Sequence, residues 1–241
     1  MFLCFDTETT GVTGKPHLVQ LAFILSEDDG TLRGSANFII KPEGYEIPNE
    51  AASIHGITTE IALRCGVPLS VAVSAFNNSA LLCTGGKLVA HNLAFDVRIM
   101  RAAYERGGWP SRIDNLEPFC TMEAVKNEVR MPPTPKMIKA GVPGFKSPKL
   151  SEAYQFIFNK PLENAHDALY DVNACKELYL WVQKKRAERT ADPTCRTDRD
   201  ERGLMRSRDV LVGPIIDVLR DEKKTAVLPK DWFANGLGRI P

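Results

Sequence analysis

No stretch of this 241-residue chain approaches the roughly 20 consecutive apolar residues of a membrane-spanning helix. Net charge is almost missing: 31 Lys and Arg against 30 Asp and Glu leave +1, so overall charge neither argues for a polyanionic partner nor excludes one. The six cysteines (Cys4, Cys65, Cys83, Cys120, Cys175 and Cys195) include no C-x-x-C pair, which removes the usual signature of a zinc or dithiol redox site. Five of them fall in apolar stretches and are expected to be small core residues of a reduced protein. Met1 is followed directly by a strand pattern, without a basic region, apolar segment and cleavage site, so the cytoplasm is the expected location. No internal repeat is evident. What the chain does have is 44% apolar and 25% charged residues, ordinary proportions for a globular protein with a substantial core.

The pattern along the chain is mixed. Met1 to Phe5 and "HLVQLAFIL" (17–25) are predicted strands, and "ANFIIKP" follows the Asp-Gly turn signal of "DDGTLRG" as a third. Short connections between them predict an antiparallel meander. Short helical turns come next, then a longer helix over "PLSVAVSAFNNSALLC". "GKLVAHN" is a short strand entering the helix "LAFDVRIMRAAYERGG", and "FCTMEAVKNEV" a strand turning into a helix. Residues 131–148, rich in Pro, Gly and Lys and free of acids, are predicted to be a long loop. Two more helices follow, the second carrying Leu169, Val172, Cys175, Leu178 and Val182 on its apolar side. A meander followed by alternating strands and helices gives an α/β domain with a mixed sheet. After Arg186 the sequence becomes a mixed-charge linker, then the amphipathic stretch Val210–Leu219 and the pair Trp232–Phe233. The expected organisation is one domain over 1–186 and a C-terminal extension over 187–241.

"MFLCFDTETTG" poses the functional question. Asp6 and Glu8 stand at i and i+2 of a strand, with side chains on one face and α-carbons about 6.5–7 Å apart. An acidic pair of this kind is commonly a solvated strand face, but here it ends a buried apolar run, where two like charges need a compensating cation. Asp96, in "HNLAFDVRI", falls in the first turn of a helix, where the helix dipole alone would accommodate it, and Asn92 suits a helix cap. In "AHDALYD", His166 and Asp171 are five residues apart, so one regular helix would separate them by about 140°. For both to serve one site, His166 has to sit at the helix mouth or before it. Four carboxylates with a nearby imidazole suit divalent, oxygen-ligated cations and a phosphodiester substrate.

"FDTETTG", "HNLAFD" and "HDALYD" resemble the three motifs of the DEDDh 3′–5′ exonucleases, the family of DnaQ-like proofreading exonucleases within the RNase H-like superfamily. "SIHGIT" (53–58) and "FCTM" (119–122) resemble connecting segments of that family, and the likeness spans about residues 2–183. It implies an RNase H-like fold, with a five-stranded mixed sheet flanked by helices. It implies two Mg2+ or Mn2+ ions held by Asp6, Glu8, Asp96 and Asp171, with His166 taking the proton of the attacking water. Thr9, Thr10, Gly11 and Val12 would meet the terminal nucleotide, with His55, Asn92 and Phe95 as further contacts.

The implied function is hydrolysis at the 3′ end of single-stranded or frayed DNA, releasing nucleoside 5′-monophosphates. The alternatives are RNA 3′-end trimming on the same fold, since nothing here reads the 2′-hydroxyl, and a non-catalytic nucleic-acid-binding or polymerase-associated subunit. The extension, through Val210–Leu219 and Trp232–Phe233, is a candidate surface for a polymerase or another protein, and equally for packing back on the domain. Lys136, Lys139, Lys146 and Lys149 form an acid-free cluster suited to backbone phosphates, and equally to a solvated loop. Membrane association is not expected, and oligomeric state is open.

Overall fold

A computed structural model describes residues 1–163 and 167–191. His166, Cys195, and the extension with Val210–Leu219 and Trp232–Phe233 lie outside the described residues.

Strands β1 (Phe2–Thr9), β2 (Leu18–Ser26) and β3 (Leu32–Ile39) form the expected antiparallel meander. β4 (Lys87–Ala90) adds parallel to β1, and β5 (Glu117–Cys120) parallel to β4, giving a five-stranded mixed sheet in the order β3-β2-β1-β4-β5. β1 is therefore central. It also runs farther than its apolar start suggests: the strand continues through both acids to Thr9, paired with β2 as Asp6 to Ala22 and Glu8 to Gln20. β2 is buried along all nine residues, as a strand covered on both faces must be.

Eight α-helices are found among the described residues. Because side chains alternate along β1, its even and odd positions face opposite layers. On the even face, Phe2 and Cys4 join Ala22, Ile24 and Val89 under α5 (Thr121–Val129), α7 (Leu150–Phe158) and α8 (Ala168–Ala191). Tyr179 of α8 anchors that layer, its ring 4.4 Å from Phe2 and edge-on to Phe119 at 4.9 Å. On the odd face, Phe5 and Phe23 pack against Phe76 of α3 (Leu69–Leu82), with α4 (Leu93–Gly107) alongside. Helices α1 (Asn49–His55) and α2 (Thr59–Cys65) build a satellite cluster over Val19 with Ile47, Ala51, Ile57 and Ala62.

Three sequence expectations change. Cys65 is exposed at the end of α2, while Cys4, Cys83, Cys120 and Cys175 are buried as expected. The loop after α5 contains a short helix, α6 (Pro135–Lys139), started by the Thr134 hydroxyl, which accepts from the Met137 N–H. Finally, α8 runs on to Ala191, five residues past the charged boundary at Arg186. No helix among the described residues is long and apolar enough to cross a membrane.

Candidate active site

Asp6 and Glu8 project from the even face of β1, and the first turn of α8 lays Asp171 over them. One carboxylate oxygen from each of the three lies within 4.8 Å of the other two. Asp6 and Glu8 are half-buried and Asp171 is buried. The fourth acid comes from the other layer. Asp96 in the first turn of α4 is only 3% exposed, and its Oδ1 accepts two hydrogen bonds from Thr7, one from the backbone N–H (3.1 Å) and one from the hydroxyl (2.7 Å). Thr7 sits between the two strand acids but faces the opposite layer, so this single residue ties Asp96 to the strand that carries Asp6 and Glu8.

The acids disfavour one another's charge. Burial first, then the neighbouring Asp96, Asp171 and Glu8, raises Asp6 well above the ordinary carboxylate range. Burial, then Asp171, Asp96 and Asp167, lifts Glu8 to about 8. Burial lifts Asp96 to about 7 against the opposing pull of the two Thr7 bonds. Asp6, Glu8 and Asp96 take part in no ion pair among the described residues, so no protein cation relieves them there. An all-oxygen, anionic donor set of this kind fits a hard divalent cation.

The turn after β1 is bound to α4. Arg98 donates to the carbonyls of Val12 (2.9 Å) and Gly14 (3.4 Å), and Arg106 to those of Lys15 and Pro16. Within the turn the Thr10 N–H bonds to the His17 carbonyl and the Gly11 N–H to the Thr9 hydroxyl, so these amides serve the turn itself. The Thr10 hydroxyl accepts from the His17 N–H. Val12, 70% exposed, is the member of "TTGV" that presents an apolar side chain outward. Asn92 is exposed at the N-cap of α4 with φ 74°, and its side chain makes no capping bond. Phe95 is half-buried under the Arg98 guanidinium, 5.2 Å from the ring centre. His55 ends α1, where its Nδ1 accepts from the N–H of Ile57, a member of the satellite cluster.

Three residues escaped sequence reasoning. Thr7 was hidden because the spacing of the acids drew attention to their own face. Asp167 contributes to the Glu8 shift and caps the start of α8 through its bond from the Leu169 N–H; the doublet "HD" was its signal. His91 shares hydrogen bonds with the Thr121 hydroxyl and the Pro148 carbonyl, both at 3.0 Å. The Pro148 carbonyl can only accept, so Nε2 carries the proton. Burial holds this imidazole down at about 4, against the Pro148 bond, and it is neutral near pH 7.

The chain has relatives among known sequences and solved structures. The profile of the RNase_T exonuclease family covers residues 3–179. The chain belongs to that family. It is a DEDD-type member of the RNase H-like superfamily. DNA polymerase III PolC-type of Streptococcus sanguinis (strain SK36) is 30% identical over 189 residues, covering 78% of this chain and 11% of that protein. The DNA polymerase III subunit epsilon-like protein of Rhodobacter capsulatus is 32% identical over 102 residues, covering 42% of this chain and 14% of that protein. The chain thus spans about 11% of the length of such PolC-type relatives. Among solved structures, E. coli exonuclease I in complex with a dT13 oligonucleotide aligns with a TM-score of 0.63 at 20% identity, over 84% of this chain and 44% of that one. Exonuclease I from Methylocaldum szegediense aligns at 0.62 and 19%, over 78% and 41%. At such identities the likeness is one of fold. In an exonuclease-family chain, the acidic cluster is consistent with the use of divalent metal.

Proposed function

We propose that this chain is a metal-dependent 3′–5′ exonuclease that hydrolyses the terminal phosphodiester of single-stranded or frayed DNA and releases nucleoside 5′-monophosphates. The observation that carries this reading is the convergence of Asp6, Glu8 and Asp171 within 4.8 Å, with Asp96 held beside them by Thr7. Family membership supports it, as do the polymerase III relatives and the exonuclease I structure bound to dT13.

Asp6, Glu8 and Asp171 would hold the cation nearest the attacking water, and Asp6 with Asp96 the second of two Mg2+ or Mn2+ ions. Bound divalent ions supply charge neutralisation at the phosphate and a water of lowered pKa. The protein's own part is positioning. Thr7 occupies Asp96 Oδ1 with two donors, which leaves Oδ2 to face the site directly or through water. The raised carboxyls of Asp6 and Glu8 mean that cation binding and proton release are linked. His166, by its place in "AHDALYD", would take the proton of the attacking water, a task suited to an imidazole whose ordinary pKa is about 6.5. Val12 and Phe95 are suited to flank the terminal base with apolar surface.

The test is degradation of matched 5′-labelled DNA and RNA single strands with Mg2+, Mn2+ or EDTA, by the wild type and Asp6→Ala. The expected result is a ladder shortening from the 3′ end, faster on DNA, abolished by EDTA and reduced at least ~1,000-fold in the variant. Faster loss of RNA would move the assignment to RNA trimming. Binding without cleavage of either strand by the folded wild type would replace the enzyme with a binding subunit.

A further inference from the structure

Between Glu128 and Glu152 the chain carries five cations and no acid, and the structure divides this segment into a fixed root and a projecting tip. The root is tied down several times over. The Lys146 N–H bonds to the Met131 carbonyl at 3.0 Å, closing residues 132–145 into an excursion whose two ends touch. Lys146 itself grips both oxygens of Glu152 at 2.7 and 2.8 Å, and the second of these also accepts the Lys149 N–H. The Ser147 hydroxyl donates to Glu123, and His91 donates to the Pro148 carbonyl at 3.0 Å. The last contact fixes where the excursion stands. His91 also bonds the Thr121 hydroxyl, which contacts the Cys175 thiol, about one turn of α8 from Asp171.

The tip is different in character. Lys136 and Lys139 on α6 are exposed and have no ion-pair partner among the described residues. Ile138 between them is 67% exposed and Val142 51%, an unusual outward display of two aliphatic side chains on one short turn. Cations flanking exposed apolar side chains, rooted beside a cluster of acids that themselves repel phosphate, complement a polyanion that also has unstacked apolar faces. A single nucleic-acid strand has both.

We propose that the 132–145 excursion is a second contact for the substrate strand, in which Lys136 and Lys139 engage backbone phosphates upstream of the 3′ end and Ile138 and Val142 lie against bases. This rests on the exonuclease reading above. Lys146 is a structural element of the root and takes no part in it.

The double variant Lys136→Glu/Lys139→Glu tests the proposal in the full-length protein. Two substrates are compared, a 30-nucleotide DNA strand and the p-nitrophenyl ester of thymidine 5′-monophosphate, which is too short to reach the tip. The readout is the ratio of kcat/KM on the strand to kcat/KM on the ester, expected to fall about 5- to 10-fold. In parallel, anisotropy of a labelled dT20 strand in Ca2+ gives the salt dependence of binding, whose slope is expected to shrink by about 0.7 for each lost phosphate contact. An unchanged ratio with an unchanged slope overturns the proposal and leaves the exonuclease standing. A wild type that hydrolyses neither substrate overturns the exonuclease, and the salt slope then decides the tip: a reduced slope in the variant still supports a strand contact there, an equal one removes it.

Discussion

The two halves of β1 face the same helix and are treated in opposite ways. Strand and helix run antiparallel, and their repeats nearly match: two strand residues advance about 6.6 Å and four helical residues about 6 Å. Phe2 therefore meets Tyr179, Cys4 meets Cys175, and Asp6 meets Asp171, three successive rungs of one ladder. The first is a tilted aromatic pair, the second two buried thiols, the third a pair of carboxylates joined by Glu8. The acidic cluster is thus the last rung of the hydrophobic core, with charge where the first rung has rings. Its rigidity comes from the lower rungs, and its cost, burial of like charges, is confined to the top.

The comparison breaks first at its apolar end. Phe2 is completely buried and centred on Tyr179, so Phe2→Ala is expected to destabilise the domain by about 3–5 kcal/mol through lost contact and a residual cavity, read by urea unfolding. A loss below about 1 kcal/mol would mean that this rung carries little of the fold. At the top rung the sign reverses. In EDTA at pH 8, Asp6→Asn is expected to raise the thermal midpoint by several degrees, because it removes one of the mutually repelling buried charges. The wild type should show the same stress as a pH dependence. Glu8 titrates at about 8 in the fold against about 4.5 when unfolded, and Asp6 is shifted the same way, so the native state holds more protons across that interval. Stability in EDTA is then full below about pH 4 with respect to these groups and falls as pH rises toward 8, and Mg2+ should flatten the fall. A midpoint that is flat or rises between pH 5 and 8 in EDTA, with no response to Mg2+, would count against a strained cation site.

Much of this was legible from the sequence, for reasons that can be named. The meander and the alternation after it follow from hydrophobic periodicity, and the acids stand out because charge interrupts a buried strand. The length of β1 was misjudged because Asp6 and Glu8 read as the end of the strand, whereas pairing with β2 carries the backbone on to Thr9. Lys146 illustrates a different limit. In sequence it belongs to an acid-free run, yet Glu152, six residues on, takes it as a bidentate partner and turns a candidate phosphate contact into a brace. His91 and Thr121, 30 residues apart, meet only because β4 and β5 are neighbours in the sheet. Contacts of this kind depend on strand order, which local pattern does not contain.

Thr7 gives the finest test of how the two layers are joined, since it stands on the acid-bearing half of β1 but faces away from Asp6 and Glu8. Its hydroxyl supplies the shorter of the two bonds to Asp96 Oδ1, and both bonds oppose the upward shift that burial imposes on that carboxyl. Thr7→Val keeps the shape and the backbone donor and deletes the hydroxyl, so Asp96 should lose its proton at a pH higher than about 7 by roughly one unit, the equivalent of about 1.4 kcal/mol. The concentration of Mg2+ that half-saturates the thermal shift should then rise about fivefold at pH 7 and much less at pH 9, where the carboxyl is ionised in both proteins. Thr7→Ser, which retains the hydroxyl, should restore the wild-type pH dependence even where it lowers stability. Parallel Mg2+ titrations of the wild type and Thr7→Val at both pH values would break the link between Thr7 and the site, and a rise of equal size at pH 7 and pH 9 would mark the effect as packing alone.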